Sequence, residues 1–245
     1  MLTEENYYDD KMYMSTSQFK TFYQCEARGL AEYRNEYKQP TSESMLVGKY
    51  VDAYFCGTLD EFKKTTPEIF TIKGELRSNF KHAEYIIERI KKDAAFMHYL
   101  SGEKQVIMTG VIAGVPFKTK MDSVLPYCTV DLKIVKDCKD IWCDDEYKSF
   151  IFAWGYNYQG AIYQTIRSQN DGEVKPFILA VATKETEPDL RLFRLSEKTL
   201  ATAYADVVNL APRYDLIKKG KITPTRCGTC DYCKATKKLE EIEEV

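Results

Sequence analysis

The chain has 245 residues, with 35 Lys+Arg against 37 Asp+Glu, for a formal net charge of −2. At 44% hydrophobic and 29% charged, it has the balance of a chain that buries a core, which excludes a disordered or fibrous class. A charge so close to zero removes any global basic bias, so nucleic-acid binding would have to come from a local site.

Residues 1–14, acidic and tyrosine-rich, are expected to form a polar, weakly structured lead and are the opposite of a secretory or transit peptide. From Ser15 the pattern turns helical: Phe19, Phe22, Tyr23, Leu30 and Tyr33 fall on one side, and Ser15 or Ser17 can cap the start. This N-terminal helix, over 15–40, carries Cys25. Pro40 and the Ser-Thr-rich residues after it mark a loop, and a second helix is expected over 45–55. Leu76, Phe80, Ala83, Ile87, Ile90, Ala94 and Met97 recur at alternating spacings of four and three, which predicts one core-facing helix over 75–100.

After Ser101-Gly102 the period changes, and 105–113, 115–124 and 129–135 read as a meander of three strands. A charged stretch covers 136–148. Helix returns over 150–168, strands over 177–184 and 190–195, and a last helix over 200–217 that Pro212 should kink or interrupt. Three cysteines and a charged tail, 234–245, follow. The longest apolar run, 177–182, is far short of the roughly 20 residues that cross a bilayer. The order α, β, α, β, α predicts one mixed α/β domain over 1–245: a core over 45–195, with the N-terminal helix before it and a C-terminal helix and cysteine segment over 196–245. No membrane partner and a cytoplasmic location are expected.

The most informative segment is 120–133. Asp122 lies near the end of one strand, Pro126-Tyr127 turns the chain, and the next strand carries Asp131 and Lys133. Residues i and i+2 of a strand face the same way, about 6.5–7 Å apart, so Asp131 and Lys133 share a face and the hairpin can bring Asp122 beside them. Two carboxylates with a lysine suit a hard cation such as Mg²⁺ or Mn²⁺ and the activation of a water towards a phosphodiester. Lys133 would then orient that water or stabilise developing charge. The same residues also fit a surface hairpin closed by a cross-strand ion pair.

The pattern Asp122-x8-Asp131-Leu132-Lys133, after two strands, resembles the PD-(D/E)XK nuclease core, whose α-β-β-β-α-β order matches the elements above. In the RecB-like branch a G-x-x-x-H helix precedes this core. Here it is Gly48 to Asp52, with Asp52 in place of the histidine. A Q-x-x-x-Y helix follows the lysine; here it is Gln159 to Tyr163, preceded by Tyr156. The resemblance implies a restriction-endonuclease-like fold, a central mixed sheet flanked by helices. It also implies catalytic roles for Asp122, Asp131, Lys133, Gln159 and Tyr163, and Mg²⁺ or Mn²⁺ ligation by Asp52, Asp122 and Asp131. A carboxylate at position 52 makes the site harder, favouring Mg²⁺ or Mn²⁺. Glu103 is a weaker candidate for the same site.

Cys227, Cys230 and Cys233 are spaced C-x2-C-x2-C, which suits a metal or cluster that takes its fourth ligand from elsewhere. The segment from Ser15 to Cys25 resembles the start of the iron–sulfur nucleases of this superfamily, the AddB-type and CRISPR-adaptation enzymes. In those, one early cysteine joins three late ones around a 4Fe-4S cluster. That resemblance implies Cys25 as the fourth ligand and a cluster stapling the chain ends. The late spacing departs from the usual C-x2-C-x5-C; the resemblance favours the iron–sulfur cluster, with Zn²⁺, which also fits four thiolates, as the alternative.

Lys49, Lys120 and Lys136, with Lys118 and the flanking Arg28, Arg34 and Lys38, are the candidate DNA contacts. Such contacts give affinity without sequence preference. The compact size and residues 48–62 resemble RecE-type phage exonucleases. This implies digestion of duplex ends, a role in phage-type recombination or repair in a bacterial or phage-infected cell, a single-strand annealing partner and a homo-oligomeric ring. Two alternatives share these residues: a CRISPR-adaptation iron–sulfur nuclease and a non-catalytic DNA-end-binding subunit.

Overall fold

The computed structural model describes residues 2–143 and 145–238; residues 239–245 of the expected charged tail lie outside the described residues. The lead is not loose. Tyr7 and Met14 are buried, and Met14–Ser15 forms a short strand, β1, parallel to the long strand described below. Ser15 caps α1 (Thr16–Gln24), accepting the Gln18 N–H while the Gln18 side chain returns to the Ser15 N–H. The expected 15–40 helix is two helices, because Cys25 is extended (φ −164, ψ 111) and separates α1 from α2 (Glu26–Tyr33).

Ser42 caps α3 (Glu43–Phe55). A short helix, α4 (Leu59–Thr65), and a 3-10 turn at Pro67–Ile69 fill a stretch whose sequence shows no period. The single helix expected over 75–100 divides into α5 (Ser78–Lys91) and α6 (Ala94–Tyr99). Asp93 is the reason: its carboxylate accepts the Phe96 N–H at 2.9 Å and starts a new helix. The apolar stripe holds to Ile90 and then changes phase, so that Phe96 and Leu100 are buried while Ala94 is exposed.

The meander is present as β2 (Glu103–Ile112), β3 (Val115–Leu125) and β4 (Cys128–Val135), each antiparallel to the next. The charged stretch after it hides a hairpin, β5 (Ile141–Cys143) and β6 (Glu146–Lys148). The expected 150–168 helix is broken at Gly155 (φ 63) into α7 (Phe150–Ala153) and α8 (Tyr156–Asp171). Strands β7 (Phe177–Thr183) and β8 (Leu190–Arg194) follow, then α9 (Glu197–Lys218) and α10 (Asp231–Ala235). Pro212 does not interrupt α9. A proline inside a helix costs about 3 kcal/mol, but Tyr214 and Ile217 beyond it are buried, and each such side chain returns roughly 1.5–3 kcal/mol.

The sheet runs β1-β3-β4-β7-β8, with β2 on the other edge of β3. β4 and β7 are parallel, joined by the crossover that contains α8. Alternation along the strands separates two cores. Phe177, Leu179 and Val181 pack with α1, α8 and α9, whereas Val130, Leu132, Ile178 and Ala180 pack with α3, α5 and α6. The result is a mixed α/β fold with helices on both faces. Among the described residues, no helix is long and apolar enough to cross a membrane.

One edge of β3 is shared. β1 pairs with Phe117 and Lys118, while β4 pairs only with Ser123, Val124 and Leu125. Residues 119–122 face neither strand, and β4 leaves β3 there to follow β7. The candidate site occupies that gap.

Candidate active site

The β3–β4 register, carried one step past Ser123 and Val130, sets Asp122 opposite Asp131. The backbone ladder stops at that step. The Leu132 N–H, which has no β3 carbonyl there, donates instead to Asp122 Oδ2 at 2.9 Å. Gln105 holds the other oxygen, donating Nε2 to Oδ1 at 3.3 Å. Gln105 takes a left-handed backbone (φ 52) inside β2, a conformation that costs a non-glycine residue about 1 kcal/mol or more. Its side chain also donates to Cys56 Sγ at 3.1 Å.

Asp131 is 1% exposed. On α8, Gln159 donates Nε2 to Asp131 Oδ1 at 2.6 Å. Asp131 Oδ2 accepts no hydrogen bond and faces the Lys133 ammonium at 2.5 Å. Tyr163, one turn after Gln159, donates its hydroxyl to Lys120 O at 2.9 Å, satisfying a β3 carbonyl in the unpaired stretch. Asp52 comes from α3 on the opposite layer; with Asp122, Lys133 and Tyr156 it lines a cavity of about 890 Å³. Nothing lies within 4 Å of the position a Gly48 Cβ would take, one helical turn before Asp52, so that wall stays open.

The electrostatics follow from crowding. Burial, and then the neighbouring Asp131, push the Asp122 carboxyl well above its ordinary value. Burial raises Asp52 as well, with Lys133 opposing it. For Lys133, burial acts downward, but Asp131 and Asp122 outweigh it and keep the amine protonated. A second cation, Lys20 of α1, is half-buried; burial and the Lys133 charge lower it to about 8. Burial and Asp52 push the Cys56 thiol up to about 12.

The structure therefore gathers Asp52, Asp122, Asp131, Lys133, Gln159 and Tyr163 around one gap. Oxygen donors predominate, the carboxylates repel one another, and one carboxylate oxygen accepts no hydrogen bond; this donor set fits a hard divalent cation. Glu103 is exposed and does not line the cavity. Of the candidate docking lysines, Lys49 and Lys136 are exposed on its rim, joined by Lys139 and Lys184. Lys118 and Lys120 are corrections. Lys118 is 3% exposed and donates to Tyr7 O and, at 2.8 Å, to Asp10 O; Lys120 pairs with Glu4 at 2.9 Å. Both tie the N-terminal lead to β3, a use for lysine that spacing in β3 does not reveal. Gln105 and Lys20 were missed, since neither lies in a motif.

The four cysteines also converge. The sulfurs of Cys25, Cys227, Cys230 and Cys233 lie within 4.8 Å of one another, the one group of metal-ligating side chains of this kind found among the described residues. Cys25 Sγ is 3.5 Å and Cys227 Sγ 3.9 Å from Cys233 Sγ. Backbone N–H groups point at the sulfurs: Arg28 at Cys25, Cys230 at Cys227 and Cys233 at Cys230. At Cys227 these donors outweigh burial and lower the thiol to about 5. Beside the group, Arg213 grips Glu26 through two bonds of 2.6 and 2.9 Å, and the Thr225 N–H adds a third at 2.7 Å.

Residues 15–236 match the model of a family described as a PDDEXK-like domain of unknown function (DUF3799). The chain belongs to that family. The crystal structure of a "putative exonuclease" from Eubacterium rectale superposes with a TM-score of 0.94 at 46% identity, covering 100% of this chain and 96% of that one. No curated protein matches the chain.

Asp122 and Asp52 are harder to ionise in the fold than in an unfolded chain, so each favours the folded state in its protonated form. That stability is complete below about pH 4 and is lost as pH rises through the raised folded values. Without divalent ions, Asp122→Asn should therefore melt a few degrees above the parent protein near about pH 8, with the gap closing towards about pH 4. Thermal unfolding followed by circular dichroism checks this; a variant that melts lower at both pH values contradicts it.

Proposed function

We propose that the chain is a divalent-metal-dependent deoxyribonuclease that hydrolyses phosphodiester bonds from the ends of duplex DNA, without sequence preference, in recombination or repair. The observation that carries this reading is the opposition of Asp122 and Asp131 where the β3–β4 ladder stops, with Lys133 at 2.5 Å from Asp131. Family membership and the description of the Eubacterium rectale neighbour support it.

Asp122 and Asp131 would hold the cation, with Asp52 on the facing wall; bound there, the ion supplies neutralisation of the scissile phosphate and a more acidic water. The protein's own groups do the positioning. Gln159 locks one oxygen of Asp131, and the Lys133 ammonium holds the other. Leu132 and Gln105 lock Asp122. Lys133 stays protonated, so it acts as a fixed cation on the developing phosphorane charge rather than as a base. Lys49 and Lys136 meet flanking phosphates at the rim. The N-terminal lead, tied through Glu4 and Tyr7 to β3, brings Tyr7 into a small pocket with Gln159 and Tyr163 and so backs the helix that holds Asp131.

The four-cysteine group would hold a structural metal centre that joins α1 and α2 to the C-terminal segment. Sulfur separations of 3.5 and 3.9 Å support one tetrahedral Zn²⁺, whose ~2.3 Å Zn–S bonds set thiolates about 3.8 Å apart. The C-x2-C-x2-C run, together with the sequence resemblance, supports an iron–sulfur cluster.

Linear duplex DNA labelled at one end should be shortened progressively in Mg²⁺ or Mn²⁺ by the parent protein. Lys133→Ala should lower the rate by roughly 10²-fold or more. Equal rates for the two proteins would overturn the reading. Protein purified without air should carry a metal released by Cys233→Ser. Broad visible absorbance with iron and sulfide identifies the cluster, colourless protein with one zinc identifies the single ion, and metal-free parent protein contradicts both.

A further inference from the structure

A second cavity, of about 860 Å³, adjoins the first, and Trp154 lines both. It runs from Trp154, on the rim of the first cavity, past the turn between α7 and α8, to Cys227 and Cys230. Its walls are aromatic. Tyr147 is 71% exposed, Trp154 53% and Phe152 49%, and Tyr23 and Tyr158 also line it. Beside the mouth, Trp142 packs edge-on against Tyr147 at 5.0 Å. Exposed aromatics gathered in one patch signal a binding surface, because isolated ones are the rule elsewhere.

The local structure is built to present these rings. Ser149 caps α7, Phe150 turns inward, and Gly155 at φ 63 ends the helix so that Phe152 and Trp154 face outward. A Cβ at Gly155 would meet Lys20 Cδ at 3.0 Å, so the left-handed turn and the close approach both call for glycine. Lys20 donates to Trp154 O at 3.2 Å, holding the turn against α1. Lys20, Arg28 and Lys148 bring positive charge to the groove, with Glu146 paired to Lys148 at 3.2 Å. On its floor, Asn157 is 8% exposed and its Oδ1 has no hydrogen-bond partner. A buried amide oxygen without a donor is costly unless a ligand supplies one.

We propose that this groove binds an unpaired DNA strand running from the active site towards the four-cysteine centre. Bases stack on Tyr147, Phe152 and Trp154, the phosphates lie along Lys20, Arg28 and Lys148, and Asn157 accepts from a base amino group. Base faces are open only in a single strand, so rings of this kind distinguish it from a duplex, whose backbone needs cations alone. The proposal rests on the nuclease reading and deepens it: the enzyme holds one strand of a frayed end beside the site that cuts.

The test compares the parent protein with Tyr147→Ala/Phe152→Ala, whose changed residues are exposed and away from the carboxylates. Fluorescence anisotropy without divalent cation measures binding of labelled oligothymidylate and of a blunt hairpin duplex. The double variant should lose tenfold or more in affinity for the single strand, and little for the duplex. Tyr147→Phe/Phe152→Trp should bind as the parent does, since stacking survives. Equal loss for both DNAs, or no loss, overturns the proposal. In parallel, Mn²⁺-dependent hydrolysis of bis(p-nitrophenyl) phosphate reads the catalytic site alone and should be unchanged in the double variant. Hydrolysis retained without the strand preference refutes the groove and spares the nuclease reading; the strand preference without any hydrolysis refutes the nuclease reading and leaves the groove.

Discussion

Everything at the candidate site follows from an interrupted ladder. β1 and β4 share one edge of β3 but do not meet along it, so on that edge residues 119–122 have no strand beside them, while β2 pairs along the opposite edge. A sheet interior does not tolerate unpaired backbone, and the groups that satisfy it here are side chains: Asp122 takes the Leu132 N–H and Tyr163 gives to Lys120 O. The same gap admits Asp131, Lys133 and Gln159 from one face and Asp52 from the other. A continuous ladder would have left these carboxylates on a closed surface.

The gap carries an electrostatic cost. Asp131 and Lys133 form a close pair at a position where desolvation consumes much of the Coulomb gain, and the same crowding makes Asp122 and Asp52 harder to ionise. Such an arrangement lowers stability, and the left-handed Gln105 adds strain at the same place. The cysteine group, the Glu26–Arg213 pair and the buried Lys118 secure the chain ends around it. These ties matter because α1 carries Lys20, one wall of the aromatic groove.

How far this was legible in the sequence depended on distance along the chain. Asp122, Asp131 and Lys133 sit in one hairpin, and Gln159 and Tyr163 on one helix turn, so strand and helix periodicity placed them correctly relative to each other. The cysteines were legible as a set because the three late ones are compactly spaced and Cys25 ends the segment that carries the resemblance. Helix ends were not legible: Asp93, Gly155 and the extended Cys25 broke helices whose apolar period looked continuous. The β5–β6 hairpin was hidden by charge, and Lys118 and Lys120 looked like docking groups because nothing in β3 announces Glu4, Tyr7 or Asp10 as partners. Gln105 could have been found only from its backbone angle.

If Asp52, Asp122 and Asp131 form a cation site, the protein takes up Mn²⁺ there, and calorimetric titration of Mn²⁺ into the protein reads that uptake. Mn²⁺ prefers oxygen ligands, so it discriminates this site from the four thiols. Saturable uptake by the parent protein is expected, abolished by Asp131→Asn and retained by Cys233→Ser. Uptake of Mn²⁺ that is indifferent to Asp131, or no uptake by the parent protein, would contradict the cation site.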